Sequence, residues 1–340
     1  MVRKLNVAVV GVTGAVGQVM LDVLKERDFP VANLFPLASA RSVGKTIQFK
    51  NQELDVQDLA TFDFTDIDIA LFSAGGSVSK EYAPIAAAAG CVVIDNTSCF
   101  RYDDDIPLVV PEVNPQAIAQ YTNRGIIANP NCSTIQMVVA LKPLYDAVGI
   151  TRINISTYQA VSGTGKKAIS ELIAQLGDLL NGRSVDPVVY SQQIAFNVLP
   201  HIDEFQENGY TREEMKMVWE TRKIFNDDSI MVNPTAVRVP VIYGHSEAIH
   251  VELKAPLSAV KARKLLSKAP GVVVVDDSAK SKYPTAFVHA TGRDEVFIGR
   301  IREDISHPCG LNLWVVADNL RKGAATNAVQ IAEILHREYL

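Results

Sequence analysis

The sequence predicts an α/β protein, with a doubly wound parallel sheet in its N-terminal part followed by an α+β domain that contains a mixed sheet. Two observations predict the first part. Leu5–Val10 is a short apolar run of the kind that is buried on both faces in a parallel sheet. A glycine-rich turn and an amphipathic segment follow it, and apolar runs then alternate with helical or loop segments. The second part is predicted by a change of pattern after residue 130, where helical stripes mix with strand-like runs.

Within the first part, each expected element has a simple pattern. An amphipathic pattern predicts a helix over residues 18–27, and an alanine-rich segment predicts a crossover helix over residues 81–90. Five short, mostly apolar runs are expected as strands of a Rossmann-type sheet: residues 5–10, 34–39, 67–73, 92–95 and 125–128.

The second part mixes helical and strand periodicities. Alternation of polar and apolar residues indicates a mixed or antiparallel sheet with one covered face. An apolar stripe between Ile169 and Leu180 predicts a helix that faces either the core or an interface. The other expected elements are a buried helix that opens over residues 133–139, strands over 246–253 and 272–275, and a terminal helix over 327–340.

Length and composition indicate the number of domains and the class of protein. At 340 residues the chain is too long for one ordinary core. We expect a first domain over residues 1–130, joined by the C-terminal helix 318–340, and a second over residues 131–317. A hydrophobic content of 48% and a charged content of 21% indicate a soluble globular enzyme. The net charge of −5 argues against a nucleic-acid or anionic membrane surface.

Targeting and metal-binding patterns are not expected from this sequence. The first apolar run ends in a glycine, which indicates a strand and not a signal peptide, and no apolar stretch approaches membrane-spanning length. The four cysteines form no Cys-x-x-Cys pair, so neither a metal site nor a disulfide framework is expected. Reduced thiols fit a cytoplasmic location.

The glycine-rich turn over residues 11–17 predicts a nucleotide site. Its spacing, Gly-x-x-Gly-x-x-Gly, departs from the common Gly-x-Gly-x-x-Gly, but it lies between a strand and a helix as such a site requires. Glycines allow the backbone to approach a pyrophosphate, and the helix N-terminus supplies positive potential. The alternative is an ordinary tight turn between a strand and a helix.

The end of the second strand indicates the cofactor. An acidic residue there holds the ribose of NAD, whereas an arginine accommodates the 2′-phosphate of NADP. This segment has no acid but contains Arg41, Ser42 and Lys45, which can bind a phosphate. NADP is therefore expected, and a solvated loop is the alternative.

Cys132 is the candidate nucleophile. It follows Asn-Pro-Asn and opens a buried helix, and a helix N-terminus lowers a thiol pKa toward the reactive thiolate. A distant His245 follows a glycine in an expected turn. A nucleotide turn, a thiol and a histidine together indicate an enzyme that oxidises or forms an acyl group through a thioester. The alternative for Cys132 alone is a structural cysteine.

Six short segments follow one another along the chain. They are Gly-Val-Thr-Gly-Ala-Val-Gly at 11–17, Ser-Ala-Arg-Ser at 39–42, Asn-Thr-Ser-Cys-Phe-Arg at 96–101, Asn-Pro-Asn-Cys-Ser-Thr at 129–134, Tyr-Gln-Ala-Val-Ser-Gly at 158–163, and Arg-Val-Pro-Val at 238–241 with His245. Each segment alone is weak evidence, but the combination is highly specific. In this order they resemble the aspartate-β-semialdehyde dehydrogenase family from end to end.

This resemblance implies a role for each candidate residue. It implies that Cys132 is the nucleophile, His245 the general acid/base, and Gln159 the group that orients the thioester or substrate carbonyl. The substrate and phosphate residues that it implies are Arg238 for the carboxylate, Glu213 for the ammonium, Arg101 and Lys216 for phosphate, and Asn131. The cofactor residues that it implies are Gly11, Thr13, Gly14, Ala15, Val16, Arg41, Ser42, Ser162, Gly163 and Asn319.

Several of these residues also have simpler interpretations. Residues 211–214 form a capping-box pattern, so Glu213 and Lys216 lie about a turn apart on one helix, where such a pair is usually a solvated salt bridge. Arg101 precedes three aspartates at 103–105 and can form a surface ion pair with them, and residues 162–165 can be a flexible turn.

The resemblance implies NADPH-dependent reduction of L-aspartyl-4-phosphate to L-aspartate-4-semialdehyde and phosphate. The step feeds lysine, threonine, methionine and diaminopimelate biosynthesis, and the family forms dimers through the second domain, with tetramers in some members. N-acetyl-γ-glutamyl-phosphate reductase is the nearer alternative, but its substrate lacks the free ammonium that Glu213 would bind. Glyceraldehyde-3-phosphate dehydrogenase would have an acidic second strand, and a catalytically silent relative would lack Cys132 or His245.

Overall fold

The computed structural model describes residues 3–340, and these form two compact units. The first contains the residues up to Asn131 together with Ala324–Leu340, and the second is Cys132–Gly323. Met1 and Val2, the first residues of the expected first domain, lie outside the described residues. No helix in the described part of the chain is long and apolar enough to cross a membrane.

The secondary structure alternates along the first unit and becomes mixed in the second. The α-helices are α1 (Ala15–Glu26), α2 (Gly76–Ala88), α3 (Cys132–Val148), α4 (Lys166–Leu180), α5 (Arg212–Phe225), α6 (Ala259–Leu266) and α7 (Thr326–Glu338). The strands are β1 (Leu5–Val10), β2 (Val31–Ala38), β3 (Thr46–Phe49), β4 (Gln52–Asp55), β5 (Gln57–Asp58), β6 (Ile69–Phe72), β7 (Val92–Asp95), β8 (Ile126–Ala128), β9 (Ile150–Gln159), β10 (Met231–Arg238), β11 (His245–Leu253), β12 (Val272–Val274), β13 (Val296–Glu303) and β14 (Gly310–Ala317).

The first unit is built on a parallel six-stranded sheet in the order β5-β2-β1-β6-β7-β8. Its central strands are apolar and buried, as a sheet covered on both faces requires. Strand β2, which follows β1 in the chain, lies on one side of β1, and the later strand β6 lies on its other side. The carboxyl end of β1 is therefore the switch point where ligands bind in such sheets, and the glycine turn lies there.

Helix α7 belongs to the first unit, where it packs against α1 and β7. Its buried face includes Val329, Ile331 and Leu335, which recur at helical spacing. A bidentate ion pair between Arg27 and Glu333, with its shorter contact at 2.7 Å, joins α1 to α7. The last residues of the chain therefore complete the core of the nucleotide-type sheet.

The second unit contains a mixed six-stranded sheet in the order β10-β9-β11-β14-β13-β12. The pairs β9–β10 and β12–β13 are parallel and the other neighbours are antiparallel. Helix α3, whose first ten residues after Cys132 are almost all buried, packs on β9, β11 and β14. This covered face carries the site residues of the second unit.

The fold class predicted from the sequence is confirmed, and the differences concern element boundaries. Strands β1 and β7 have the predicted bounds, whereas α2 begins at Gly76, five residues before the predicted start. Gly75, at φ +102°, provides the turn from which that helix starts. The hairpin β3–β4 was not predicted, nor were β9, β10, β13 and β14 as individual strands.

Candidate active site

The glycine turn has the close backbone packing that a pyrophosphate site needs. A β-carbon at Gly11, which has φ +85°, would lie 2.6 Å from the Ser73 carbonyl oxygen, and one at Gly17 would lie 2.4 Å from that of Gly11. Gly14 immediately precedes α1, and no side chain within residues 3–340 caps this helix. The first-turn N–H groups can therefore bind an anion. Partly exposed residues complete this turn: Thr13, Ala15 and Val16.

Arg41 and Ser42 lie in a short 3-10 turn that directly follows β2. The turn is closed by a hydrogen bond from the Ser42 backbone N–H to the Ser39 carbonyl, 2.8 Å long. Arg41 is exposed and Ser42 is partly exposed. The turn therefore presents a guanidinium and a hydroxyl beside the carboxyl end of the sheet that carries the glycine turn.

Arg101 and Asn131, also in the first unit, are buried. Arg101 donates to the Asn96 carbonyl at 2.7 Å, so it is not the surface residue of the simpler interpretation. The segment that leads to Cys132 is fixed at Asn129. Its side chain donates to Asn96 at 2.8 Å and accepts from Asn327 at 2.7 Å.

Cys132 is the first residue of α3 and is partly buried, and Ser133 next to it is fully buried. The other cysteines differ in their surroundings. Burial raises the pKa of Cys91 far above its usual range. Burial, with smaller contributions from Asp95 and Asp103, raises the pKa of Cys99. Among these thiols, Cys132 alone occupies a helix start.

Gln159, at the end of β9, connects the start of α3 to α5. Its Nε2 lies 2.8 Å from Ser133 Oγ, 3.3 Å from Thr157 Oγ1 and 3.2 Å from Glu213 Oε1. All of these groups are buried. The carboxamide is therefore held in one orientation beside the residue that follows Cys132.

Glu213 and Lys216 form a largely buried ion pair rather than a solvated one. The predicted capping box is confirmed at Thr211 and Glu214. Lys216 Nζ lies 2.9 Å from Glu213 Oε2 and 2.7 Å from Asp203 Oδ2. Burial opposes the charged form of Lys216, but Glu213 and Asp203 outweigh it and raise the lysine pKa. Lys216 is therefore a fixed cation.

Arg238 and His245 converge on the backbone of Ala160. Arg238 Nη1 donates to the Ala160 carbonyl at 2.7 Å, and the Ala160 N–H donates to His245 Nδ1 at 3.1 Å. The His245 Nε2 atom has no hydrogen-bond partner in the described part of the chain. A β-carbon at Gly163 would lie 3.4 Å from Arg238 Nη1 and 3.6 Å from His245 Nε2, so this glycine borders both side chains.

The surroundings of His245 keep it neutral. Burial is the main cause, and the positive charge of Arg238 adds to it, so the pKa of His245 falls to about 3 although Glu213 opposes the change. Because Nδ1 accepts this hydrogen bond, the proton of the neutral ring lies on Nε2. Nε2 is the atom available for proton transfer.

Asn319 ties the turn over Val161–Thr164 to the residue before His245. Its carboxamide lies 3.0 Å from Ser162 Oγ, and its Oδ1 accepts from the Gly244 N–H at 3.0 Å. Ser162 and Asn319 are both buried. The segment over Val161–Thr164 is therefore an ordered 3-10 turn rather than the flexible turn of the simpler interpretation.

Three residues at this site were missed by the sequence analysis: Asp203, Glu247 and Gly323. Asp203 contacts Lys216 from a loop, and Gly323 lies against Cys132. Glu247 is fully buried on β11, where burial raises its pKa well above the ordinary value and Gln136 offsets this in part. Of the three, only Glu247 could have been found from the sequence. It lies two residues after His245, and residues two apart on a strand share a face.

Comparison with known proteins gives matches along both units. Residues 6–121 match the semialdehyde dehydrogenase NAD binding domain, and residues 141–322 match the semialdehyde dehydrogenase dimerisation domain. Aspartate-semialdehyde dehydrogenase of Legionella pneumophila is 75% identical over 340 residues, which cover 100% of this chain and 98% of that protein.

Solved structures give the same result. Aspartate semialdehyde dehydrogenase II complexed with ASA, from Vibrio cholerae, aligns with a TM-score of 0.98 at 62% identity, over 99% of this chain and 100% of that one. The Candida albicans enzyme with NADP aligns with a TM-score of 0.75 at 25% identity, over 98% of each chain. The family resemblance predicted from the sequence motifs is confirmed.

Proposed function

We propose a cysteine-thioester mechanism for this chain, which belongs to the aspartate-semialdehyde dehydrogenase family. It is an oxidoreductase of amino-acid biosynthesis that works with a nicotinamide cofactor. In the biosynthetic direction it reduces L-aspartyl-4-phosphate to L-aspartate-4-semialdehyde and releases phosphate. Its second unit matches a dimerisation domain, so the chain is a homo-oligomer. The proposal assigns roles to individual residues.

Cys132 is assigned as the nucleophile. Its thiolate attacks the acyl carbon of the substrate, the carbon–sulfur bond forms, and the carbon–oxygen bond to phosphate breaks. Phosphate leaves with the electron pair, and a thioester remains on Cys132. The position at the start of α3 supports this assignment, because a helix N-terminus favours a thiolate. Gln159, held by Ser133 and Glu213, is assigned to orient the acyl oxygen.

His245 is assigned as the acid/base. In the oxidative direction Nε2 accepts the hydroxyl proton of the thiohemiacetal on Cys132 once the ring proton has moved from Nε2 to Nδ1, which displaces the hydrogen bond from the Ala160 N–H. In the reductive direction Nε2 returns that proton. Nε2 has no hydrogen-bond partner among residues 3–340. A thiolate or phosphate nearby would add negative charge and raise the depressed pKa toward the working range.

The charged side chains are assigned to the ionic groups of the substrate. Arg238 offers a planar fork to the carboxylate, and its Nε has no hydrogen-bond partner among the residues that the structure describes. Glu213 is assigned to the ammonium, and Arg101 and Lys216 to phosphate, with Asn131 in the same set. Burial of Arg238 supports its role, because a charge in a low dielectric needs an ionic partner.

The cofactor is proposed to be NADP, whose reduced form, NADPH, would supply the hydride in the biosynthetic direction. The glycine turn fits a dinucleotide, because β-carbons at Gly11 and Gly17 would collide with neighbouring backbone and disrupt the tight turn between β1 and α1. The residues that would hold it are Gly11, Thr13, Gly14, Ala15, Val16, Ser162, Gly163 and Asn319, with Arg41 and Ser42 at the 2′-phosphate. The Candida albicans relative is described with NADP, which supports this choice over NAD.

We further propose that the first unit binds the cofactor, that the second carries the reaction and forms the dimer, and that the protein works in the cytoplasm. The domain bounds 1–130 with 318–340, and 131–317, remain part of this proposal. The match of residues 6–121 to a NAD binding domain and of 141–322 to a dimerisation domain supports the division of labour.

The observation that best supports this function is the buried chain of contacts from Ser133 through Gln159 and Glu213 to Lys216. It joins the start of the Cys132 helix to the ionic groups that a small amino-acid substrate needs. The test is NADP reduction on mixing the protein with L-aspartate-4-semialdehyde and phosphate. Cys132→Ala should abolish the reaction, and substantial activity in that variant would disprove the thioester mechanism.

Glu213 separates this function from the N-acetyl-γ-glutamyl-phosphate alternative. Its carboxylate is buried and lies against Gln159 and Lys216, which suits a substrate with a free ammonium. Glu213→Gln should raise the KM for L-aspartate-4-semialdehyde. A wild-type preference for an N-acetylated substrate would favour the alternative.

A further inference from the structure

Asp203 contacts the lysine that the proposed function assigns to phosphate. Its Oδ2 lies 2.7 Å from Lys216 Nζ, closer than the 2.9 Å from that atom to Glu213 Oε2. The two carboxylates differ in burial, since 30% of the Asp203 side chain is exposed and only 7% of the Glu213 side chain. Asp203 is therefore the partner of Lys216 that faces solvent.

The contact is built into the loop and is not a chance surface ion pair. Asp203 has φ +69°, a left-handed conformation that non-glycine residues rarely adopt. Its other carboxylate oxygen accepts from the Glu204 N–H at 3.0 Å. The loop is closed by a 2.7 Å hydrogen bond from the Arg212 N–H to the Glu204 carbonyl. Backbone strain of this kind persists only where surrounding contacts determine it.

Two carboxylates already hold the ammonium of Lys216, those of Asp203 and Glu213. A phosphate oxygen that binds this ammonium comes close to both of these negative charges. Like charges repel at such distances, so phosphate and the carboxylates oppose each other at this lysine. The substrate ammonium neutralises Glu213 in the proposed function, which leaves Asp203 and phosphate to compete for the same lysine.

We propose that Asp203 is a specificity-determining residue that competes with phosphate for Lys216. When phosphate binds, Lys216 exchanges Asp203 for a phosphate oxygen, and when phosphate leaves, Asp203 takes the lysine back. This inference rests on the proposed assignment of Lys216 to phosphate. Its consequence is weak binding of inorganic phosphate, which speeds release of this product in the biosynthetic direction.

The test replaces Asp203 by an uncharged residue that keeps the loop. Asp203→Asn suits this purpose because Asn tolerates the left-handed conformation and can still accept from the Glu204 N–H. Removal of one negative charge near the phosphate should lower the KM for phosphate in the oxidative direction roughly three- to tenfold. In the reductive direction, inorganic phosphate should become a stronger product inhibitor by a similar factor.

Two controls identify the cause of any change. Glu207→Gln removes an exposed carboxylate from the same loop and should leave the KM for phosphate unchanged. When Lys216 is already replaced by alanine, adding Asp203→Asn should not lower the KM for phosphate, because the competition needs the lysine. Binding of inorganic phosphate without turnover is measured by the thermal shift it produces in each variant.

The outcomes separate this inference from the proposed function. If Lys216→Ala leaves the KM for phosphate unchanged, the assignment of Lys216 is wrong and the competition falls with it. If Lys216→Ala raises that KM but Asp203→Asn raises it too, the assignment survives and Asp203 is only a support for the lysine. If Asp203→Asn lowers the KM for phosphate equally in the wild type and in Lys216→Ala, the cause is a general charge effect and the proposal is overturned.

Discussion

Gly323 lies directly against Cys132, the residue assigned as the nucleophile. A β-carbon at position 323 would come within 2.8 Å of the Cys132 β-carbon and 3.3 Å of its α-carbon. Gly323 does not have a positive φ, so glycine is required here by space and not by backbone conformation. Any side chain at this position must displace the carbon that carries the thiol.

Gly323→Ala should therefore lower kcat by at least tenfold, since a displacement of about 1 Å in a reacting group can cost roughly 100-fold. The rate of Cys132 alkylation by iodoacetamide should change with it. Gly177→Ala is the matched control, because Gly177 is a helical glycine whose added β-carbon meets nothing within 4 Å. Wild-type kcat and alkylation in Gly323→Ala would show that the contact does not position the thiol.

Glu247 should make the protein less stable as pH rises. Burial raises the pKa of Glu247 in the folded state above its unfolded value. The stability that the protonated carboxyl contributes is complete below the unfolded pKa of about 4.5 and is lost as pH rises through the folded pKa. In that window the loss is about 1.4 kcal/mol per pH unit.

Glu247→Gln replaces the neutral acid by a neutral amide of the same shape, so it should remove this loss. The free energy of unfolding of Glu247→Gln should exceed that of the wild type by an amount that grows as pH rises above 4.5. Glu252→Gln, on the same strand and only partly buried, is the control. A difference from the wild type that does not change with pH would mean that Glu247 is already ionised in the folded protein.

His245 should make the protein less stable as pH falls, which is the opposite of the effect of Glu247. Its folded pKa of about 3 lies below the unfolded value of 6.5, so the unfolded chain takes up a proton that the folded chain refuses. Stability from neutral His245 is therefore complete above pH 6.5 and declines as pH falls toward 3, by about 1.4 kcal/mol per unit.

His245→Asn should flatten this acid decline and lower kcat by about 10²- to 10⁴-fold. Urea unfolding between pH 4 and pH 7 measures the first effect, and steady-state kinetics measures the second. His307→Asn, in a loop before β14, should change neither. A variant with normal kcat and a raised KM would make His245 a binding residue and not the acid/base.

The parts of the site that the sequence predicted are those that depend on local chemistry. The glycine turn could be placed because its glycines lie between an apolar run and an amphipathic segment. Glu213 and Lys216 could be placed on one helix because the capping box at Thr211 marks where α5 begins. Both arguments use only one short, continuous segment of the chain.

The parts that were missed depend on contacts between distant segments. Asp203 reaches Lys216 from outside the helix, and the Ala160 N–H that fixes His245 lies 85 residues away in the chain. Strand β9 was missed for a related reason, because Thr157 and Gln159 on its covered face are polar and obscure the alternating pattern. Functional residues commonly break such patterns, so the strand that carries them is hard to predict.

The cofactor preference depends on Arg41. Its guanidinium is exposed in the turn after β2, at the carboxyl end of the sheet, where it can make a charge-assisted contact to the 2′-phosphate that distinguishes NADP from NAD. Loss of such a contact costs about 1.5–3 kcal/mol, or roughly tenfold or more in affinity. Arg41→Ala should therefore raise the KM for NADP by about that factor and leave the KM for NAD nearly unchanged.

Lys4→Ala, which removes an exposed cation at the amino end of β1, should change the KM of neither cofactor. If the wild type used both cofactors with equal kcat/KM, and Arg41→Ala changed neither value, Arg41 would not be the 2′-phosphate contact.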